Sequence, residues 1–311
     1  RGPYRQKKSG RYQLLDTLRG LLVLNMIAYH ALYDVVHILG RPIPWYTSWP
    51  GYVWQQGICW GFIFLSGFCF RMSHHPVRHG LVILGAGVVV SLGTALFMPS
   101  ELILFGVLYL LGLAGLIQCG VWTLWNRLRL QPFPAWLGLV LSTGVFFLTR
   151  NVPKGSLGFE GLVLCPLPPQ LYSLPGLAVL GLPGPGFHSS DYFPLAPWLF
   201  LYLMGYFLWC MVGHKGKIMA KLKPGLGPLA FVGRHSLLIY LLHQPVLMGI
   251  FTLARWGRQL TALDKVGKIM RRMALKHLPW QKNILLWHPF PVKPFYQFLR
   301  RMGLWPVQLA S

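Results

Sequence analysis

Residues 14–36 read LLDTLRGLLVLNMIAYHALYDVV, an apolar run of the length that an α-helix needs to cross a lipid bilayer. Two acids, one arginine and one histidine interrupt it, at Asp16, Arg19, His30 and Asp34. Ionisable side chains inside a membrane are costly and mark candidate functional sites. This stretch therefore predicts a membrane-embedded helix that also contributes to a site.

The composition of the whole chain agrees with a membrane-embedded fold. Its 311 residues are 54% hydrophobic and only 11% charged, whereas about 25% of the residues in soluble domains are charged. An ordinary soluble enzyme is therefore excluded. The five cysteines include no C-x-x-C pair, and neither a disulfide framework nor a metal site is expected.

Apolar runs of similar length recur along the chain and predict an all-α fold, a polytopic transmembrane helical bundle of about seven spans. The predicted spans are 14–36, 52–72, 81–98, 103–125, 135–149, 195–213 and 229–254. The segment 150–194 is rich in proline and glycine. It is expected to form a long loop, with an interfacial or re-entrant piece at 171–182.

The chain is strongly basic, with 29 lysines and arginines, 6 acids and a net charge of +23. On a soluble protein this excess would indicate a nucleic-acid partner, but here the basic residues lie between apolar runs, so no nucleic acid is expected. With the N-terminus inside, the cytoplasmic loops hold thirteen basic residues and the opposite loops hold three. This bias predicts that the basic arm, residues 1–13, is cytoplasmic.

Residues 255–311 depart from this pattern, because they carry eleven basic residues and one acid, Asp264. Seven spans would place this basic tail outside, where such charge is disfavoured. It is a domain returned to the cytoplasm by a further span, an interfacial amphipathic element, or a sequence not native to the fold. The abrupt end of the apolar pattern favours the third interpretation and leaves 14–254 as the transmembrane domain.

Two pairs of residues in the first span are spaced to share a helix face. Asp16 and Arg19 form either an ion pair that seats the helix at the interface or, through Arg19, a site for a cofactor phosphate. His30 and Asp34 lie one turn apart, beside Tyr33. A carboxylate at this spacing can orient an imidazole, and a pair that only ties helices together is the structural alternative.

Further polar groups lie in or next to the last two spans. Ser236, Tyr240, His243 and Gln244 form a polar stripe that bonds to neighbouring helices or faces a substrate, with Arg234 and His235 at its cytoplasmic end as candidates for phosphate binding. Asp191 and Tyr192 precede the sixth span. Tyr192 suits a membrane interface, and Asp191 is expected to cap the following helix.

A histidine cluster lies in a basic loop, at His74, His75 and His79. Metal binding and a solvated loop are both compatible with it, and the solvated loop is favoured because the segment is short and basic.

Several of these strings together resemble one family, the heparan-α-glucosaminide N-acetyltransferase catalytic-domain family in its bacterial form. The matching strings are LDTLRG at 15–20 with Met26, His30, Tyr33 and Asp34, SDYFPL at 190–195, GRHSL at 233–237 and HQP at 243–245. FGVL at 105–108 is a looser match, with Tyr109 where the family has histidine. The resemblance covers about residues 11–250 and does not include the basic tail.

The resemblance implies an acyltransferase of the bacterial cytoplasmic membrane that uses cytoplasmic acetyl-CoA as a co-substrate and binds no permanent cofactor. The acceptor, on the far side, is expected to be a sugar amine or hydroxyl of a glycan or another small molecule. The lysosomal members carry their catalytic histidine after the first span. We assign the role here to His30, held by Asp34, with Arg19, Arg234 and His235 on the CoA phosphates. The lipid bilayer and acyl-CoA are the expected partners, and a homodimer is compatible with this.

Two alternatives stay open from the sequence. Proton-coupled transporters also use intramembrane His and Asp pairs, although the chain has no internal repeat of the kind that many carriers show. A non-catalytic protein on the same scaffold is the other alternative, in view of Tyr109 and the unusual tail.

Overall fold

The computed structural model describes residues 12–277, with the side chains of 12–257 and 264–269. It is 72% helical, which confirms the predicted all-α fold. Its helices are α1 (Gln13–His37), α2 (Trp49–Cys69), α3 (Pro76–Phe97), α4 (Val107–Arg127), α5 (Ala135–Thr149), α6 (Leu195–Val212), α7 (Gly216–Lys221), α8 (Gly227–Arg234) and α9 (Ser236–His277). Most of the predicted basic arm and residues 278–311 of the predicted tail lie outside the described residues.

Six helical segments are long and apolar enough to cross a membrane, and they contain α2, α3, α4, α5, α6 and the first part of α9. The helix α1 has 25 residues, but its ionisable side chains lower its mean hydropathy. Together with α1, these segments agree with the predicted bundle of about seven spans. The chain is therefore a multi-pass integral membrane protein.

The prediction of one helix over 229–254 is wrong. The chain leaves helical geometry at His235, where ψ is 17°, and a new helix begins at Ser236. Hydropathy cannot show this break, because the segments on both sides of it are apolar. The helix α9 continues to His277, and the compact units of the chain divide between Leu253 and Ala254. That the tail is not native to the fold stays a prediction.

Glycines allow the helices α2 and α6 to pack closely along each other. A Cβ atom on Gly67 would lie 1.9 Å from the carbonyl oxygen of Tyr202, and one on Gly205 would lie 2.0 Å from that of Phe64. Small residues at such contacts are typical of membrane helices, where close packing replaces the hydrophobic effect as the source of attraction. No larger side chain fits at these two positions unless a helix moves.

The start of α1 is held by the segment that joins α7 to α8. The N–H group of Leu14 donates to the carbonyl oxygen of Leu222 at 3.1 Å, which satisfies one of the donors that the first turn of a helix leaves open. The hydroxyl of Thr17 accepts a hydrogen bond from the N–H group of Leu226 at 3.0 Å. These bonds bring α8 alongside α1.

The segment 150–194 contains a short antiparallel hairpin that the sequence analysis missed. Its strands are β1 (Ser156–Phe159) and β2 (Leu162–Pro166), with Ser156 opposite Pro166 and Phe159 opposite Leu162. The residues of β2 are all exposed, so the alternation of buried and exposed side chains that would signal a strand in the sequence is missing.

Arg150 attaches this hairpin to the helical bundle. Its Nε donates to Oε1 of Glu160 at 2.9 Å and its Nη2 donates to Oε1 of Gln56 at 2.8 Å. The guanidinium carbon also lies 4.6 Å from the ring centroid of Trp198, within the range of a cation–π contact. Burial alone would raise the pKa of Glu160, but the hydrogen bond from Tyr52 and the charge of Arg150 hold that pKa below its usual value.

Replacing Gly67 with alanine is expected to destabilise the bundle, because the new Cβ atom would overlap the carbonyl oxygen of Tyr202. Overpacking of this kind typically costs about 1–3 kcal/mol. Gly57→Ala on the same helix is the matched control, because a Cβ atom there meets no heavy atom within 4 Å. Thermal unfolding in detergent should give a lower Tm for Gly67→Ala than for Gly57→Ala. Equal Tm values would show that α2 and α6 do not pack in this way.

Candidate functional site

A large cavity of about 1690 Å³ runs between the helices of the first compact unit. Its lining residues come mainly from α1, α2, α3, α4, α8 and α9. We call the end at Arg19 the proximal end and the end at Asp34 the distal end. These residues are fifteen positions apart on α1, so the two ends are separated by about 22 Å along the helix.

The predicted ion pair of the first span is present at the proximal end. Nη1 of Arg19 lies 3.4 Å from Oδ1 of Asp16, and both residues line the cavity. Arg234 lines the same end from the last turn of α8. The structure thus brings together two of the three side chains that were predicted to bind a cofactor phosphate.

His30 and Asp34 line the distal half of the cavity, but Asp34 does not hold the His30 ring as predicted. Oδ1 of Asp34 accepts a hydrogen bond from Nε2 of Gln244 at 3.1 Å. The His30 ring lies against the ring of His243, with the two centroids 4.9 Å apart. The prediction failed because α9 passes beside α1 and supplies an amide to the carboxylate, which the spacing on α1 alone cannot reveal.

The polar stripe of the last span faces α1 and the cavity. Ser236, Tyr240 and Gln244 are lining residues, and His243 contacts His30 as described above. Nδ1 of His243 lies 2.6 Å from the carbonyl oxygen of Tyr240. Because a carbonyl oxygen only accepts hydrogen bonds, Nδ1 carries the proton and Nε2 of the neutral ring is a hydrogen-bond acceptor.

Tyr33 lies at the distal end, where its hydroxyl donates to Oε2 of Glu101 at 3.3 Å. Its ring also contacts the ring of His37, with the centroids 4.1 Å apart. Glu101 lies in a short 3₁₀ turn between α3 and α4 and lines the cavity. This contact joins the end of α1 to the loop after α3.

Asp191 lines the cavity but does not cap α6 as expected. The residue before α6 is Pro194, and no side chain caps that helix. The Asp191 carboxylate accepts a hydrogen bond from the N–H group of Val107, in the first turn of α4. Burial raises the pKa of Asp191 to about 6, although the bond from Val107 acts in the opposite direction. Asp191 therefore caps α4 instead of α6, and only the folded chain brings α4 close to it.

Three of the predicted site residues do not line the cavity: His243, whose contact with His30 is described above, and His235 and Tyr192. Nδ1 of His235 lies 2.9 Å from the carbonyl oxygen of Phe231, and the two rings are in contact. The hydroxyl of Tyr192 donates to the carbonyl oxygen of Ala178. These contacts give both residues a structural role, and the placement of His235 does not support its predicted binding of a cofactor phosphate.

The sequence analysis missed several lining residues. Arg71, whose Nη1 donates to the hydroxyl of Tyr206 at 3.3 Å, lines the cavity together with His74 and His79. From the sequence, Arg71 lies at the end of a predicted span and counts only toward the basic charge on that side of the membrane, and His74 and His79 belong to the cluster for which a solvated loop was favoured. No group of three or more His, Cys, Asp or Glu among the described residues is arranged to hold a metal ion.

The cavity therefore separates charge between its two ends. The proximal end is lined by three arginines and one acid, Arg19, Arg71, Arg234 and Asp16. The distal half is lined by the acids Asp34, Glu101 and Asp191. Such an arrangement favours an anion at the proximal end and a cation or a hydrogen-bond donor at the distal end. An imidazole, that of His30, lies on the wall between them.

The raised pKa of Asp191 predicts that part of the stability depends on pH. A carboxyl group whose folded pKa, about 6, exceeds its ordinary value of 3.8 binds its proton more tightly in the folded state. It therefore stabilises the fold at low pH and loses this contribution as the pH rises through 6. Asparagine does not titrate, so only the parent protein loses this contribution as the pH rises. In thermal unfolding experiments, the Tm of Asp191→Asn minus the Tm of the parent should therefore increase between about pH 4.5 and pH 7.5. A difference in Tm that stays constant over this range would contradict the assignment.

Comparison with known protein families gives one match. The family model described as heparan-alpha-glucosaminide N-acetyltransferase, catalytic, matches residues 11–245, about three quarters of the chain. The matched range contains every lining residue of the cavity except Met248. No curated protein matches the chain, and no solved structure does.

Proposed function

The chain belongs to the heparan-α-glucosaminide N-acetyltransferase catalytic family, and we propose that it is a membrane acyltransferase. It moves an acetyl or other acyl group from acyl-CoA at the proximal end of the cavity to an acceptor at the distal end. The acceptor reacts through an amine or hydroxyl group, as on a sugar. With the orientation that the basic loops predict, the donor enters from the cytoplasm and the acceptor from the opposite side.

The observation that carries this proposal is the continuity of the cavity from its basic end to its acidic end. An enzyme that transfers a group across a membrane needs a point at which substrates from opposite sides meet. The cavity volume of about 1690 Å³ exceeds the ~300–1,000 Å³ of an ordinary small-molecule pocket. That volume is suited to two substrates bound at once.

The spacing on α1 suits a long, thin donor. Arg19 and His30 are eleven residues apart on one helix, which corresponds to about 16 Å. A donor whose phosphates bind Arg19 and Arg71 therefore needs an extended arm to bring its acyl group to His30. The phosphopantetheine arm of coenzyme A is a linear chain with its thioester at the far end, and guanidinium groups bind phosphate well.

The chemistry at His30 is the transfer of an acyl group from sulfur to nitrogen or oxygen. The acceptor atom attacks the thioester carbonyl carbon, the C–S bond breaks, and the sulfur leaves as a thiolate. His30 takes the proton of the acceptor as a general base, or first carries the acyl group on its ring nitrogen. A thioester needs little further activation, so the main tasks of the protein are alignment and the exclusion of water.

A proton-coupled carrier is the second candidate, because a cavity that reaches both ends of a bundle also suits a transport pathway. The two functions differ in what they need from the proximal basic residues. An acyltransferase uses these residues to bind a large anionic donor. A proton-coupled carrier binds no such donor and instead moves a solute across the bilayer. Flux into liposomes that depends on His30 but not on acetyl-CoA would favour the carrier.

His30→Ala is expected to lower the rate of acetyl transfer by about 10²–10⁴-fold, the usual effect of losing a general base or nucleophile. The measurement uses labelled acetyl-CoA, purified protein and a panel of sugar and amine acceptors. The matched control is His188→Ala, an exposed histidine in the segment before α6 that does not line the cavity. It should retain the parental rate, and similar losses in both variants would contradict the role of His30.

Arg19→Gln and Arg71→Gln are each expected to raise the KM for acetyl-CoA by about tenfold, because each removes a charge-assisted bond to a phosphate. Arg78→Gln is the control, since Arg78 is an exposed cation at the start of α3 that does not line the cavity. The protein as a whole loses one positive charge in all three variants. Equal changes in KM for all three variants would show that binding of the donor depends only on the total charge of the protein. If the parent protein does not bind acetyl-CoA at all, the proposed function is refuted.

A further inference from the structure

The seam between α1 and α9 has features that acyl transfer alone does not explain. We define this seam by His30 and Asp34 on α1 and by His243 and Gln244 on α9. Within the seam, Gln244 donates a hydrogen bond to Asp34 and the rings of His30 and His243 are in contact. Both contacts are made by side chains.

Three buried polar atoms of the seam have no hydrogen-bond partner in the part of the chain that the structure describes. They are Oδ2 of Asp34, Oε1 of Gln244 and Nε2 of His243. All three atoms are hydrogen-bond acceptors. The carboxylate oxygen of Asp34 and the amide oxygen of Gln244 only accept, and Gln244 donates to Asp34 through its amide nitrogen. Nε2 of His243 accepts because the proton of that ring is on Nδ1. Unsatisfied polar atoms are costly at membrane depth. The seam is therefore suited to a ligand that brings several N–H or O–H donors.

The helix α9 is attached to the bundle more weakly than the other spans. In the other five candidate spans, 17–44% of the apolar window is buried inside the bundle. The apolar window of α9 is 0% buried. Because so little of α9 is buried, it can move away from α1 with less loss of packing than the other candidate spans would suffer.

The opposite face of α9 is apolar and exposed over residues 238–253. Its exposed residues recur every three or four positions, at Leu238, Leu242, Val246, Ile250 and Leu253. In a bilayer such a face lies against the acyl chains of lipids. The same helix thus has lipid chains on one side and three free hydrogen-bond acceptors on the other.

We propose that the seam admits a lipid-borne acceptor from the side, through the bilayer. The head group, which carries an amine or several hydroxyl groups, enters between α1 and α9 and donates to Asp34, His243 and Gln244. The acyl chains stay in the membrane against the apolar face of α9. A lipid is thus the class of acceptor for the acyl transfer proposed above. That the bound lipid is acylated rests on the proposed function, whereas the binding of the lipid does not.

Photo-crosslinking tests the binding directly. The protein is reconstituted into nanodiscs of phosphatidylcholine that contain a small fraction of a diazirine-tagged lipid. The tagged lipid is either phosphatidylethanolamine or phosphatidylcholine, with the same tagged chain. The ethanolamine ammonium offers N–H donors and the choline group offers none, while the phosphate and the chains are identical. We expect phosphatidylethanolamine to label peptides of α1 and α9 about fivefold more strongly, because its ammonium can bond to a carboxylate.

Two variants remove single acceptors from the seam. Gln244→Leu should weaken the preference for phosphatidylethanolamine, because it removes one of the three acceptors while Asp34 and His243 remain. His243→Phe keeps an aromatic ring against His30, removes Nε2 and provides an independent test if Gln244→Leu does not fold. Leu242→Ala, on the exposed face of the same turn, should keep the preference. Equal labelling of the parent protein by the two lipids would overturn the proposal. So would a preference that both seam variants retain in full. Either result would show that the labelled lipid only surrounds the protein and does not enter the seam.

An activity measurement separates this inference from the proposed function. With labelled acetyl-CoA, dodecyl glucosaminide and methyl glucosaminide offer the same reactive amine with and without a lipid-like chain. Faster acetylation of the dodecyl compound supports the proposal, whereas equal rates would overturn it and leave acyl transfer intact. If neither compound is acetylated and acetyl-CoA does not bind, the proposed function fails, and the lipid-labelling result still decides whether the seam binds a lipid.

Discussion

The close approach of Gly233 to α1 is the contact on which the rest of the site depends. A Cβ atom on Gly233 would lie 1.8 Å from the carbonyl oxygen of Asp16, so the two backbones touch at this point. Because α8 ends at the next residue, Arg234 stays at the level of Arg19, and both line the proximal end of the cavity. The helix α9 starts directly afterwards and continues beside α1, where it brings an amide and an imidazole to the distal half. One glycine contact thus sets the position of both ends of the site.

The bilayer explains how much of the fold could be predicted. A spanning segment must satisfy its backbone polar groups internally and cover about 30 Å of hydrocarbon, so length and hydropathy locate the helices. The span predicted at 135–149 coincides with α5. The same signal does not reveal the break at His235, because the bilayer requires apolar residues on both sides of it. It also does not reveal the hairpin beyond Arg150, which depends on a partly buried ion pair between residues ten positions apart.

The site could be predicted only where its geometry is local to one helix. Helical spacing predicted the pair of Asp16 and Arg19, and a stripe on α9 that faces the interior. Two predictions made from neighbouring positions in the sequence failed because the true partner lies on another helix, and the spacing on one helix contains no information about its neighbours. Asp34 bonds to α9 instead of His30, and Asp191 caps α4 instead of α6. Arg71 was missed for the same reason, since only the folded chain turns the end of α2 toward the cavity.

The distribution of the few carboxylates has a consequence for molecules that approach the protein from outside. Of the six acids in the chain, Asp16, Asp34, Glu101 and Asp191 line the cavity. Among the described residues, the two that remain already face cations: Glu160 pairs with Arg150, and Asp264 lies 2.7 Å from Lys268. A positively charged molecule therefore meets no unpaired carboxylate on the outer surface of the described helices, and the acids that can attract it lie in the distal half of the cavity. The carboxylates of the distal half thus have no unpaired carboxylate on the outer surface of the described helices to compete with them for a cation.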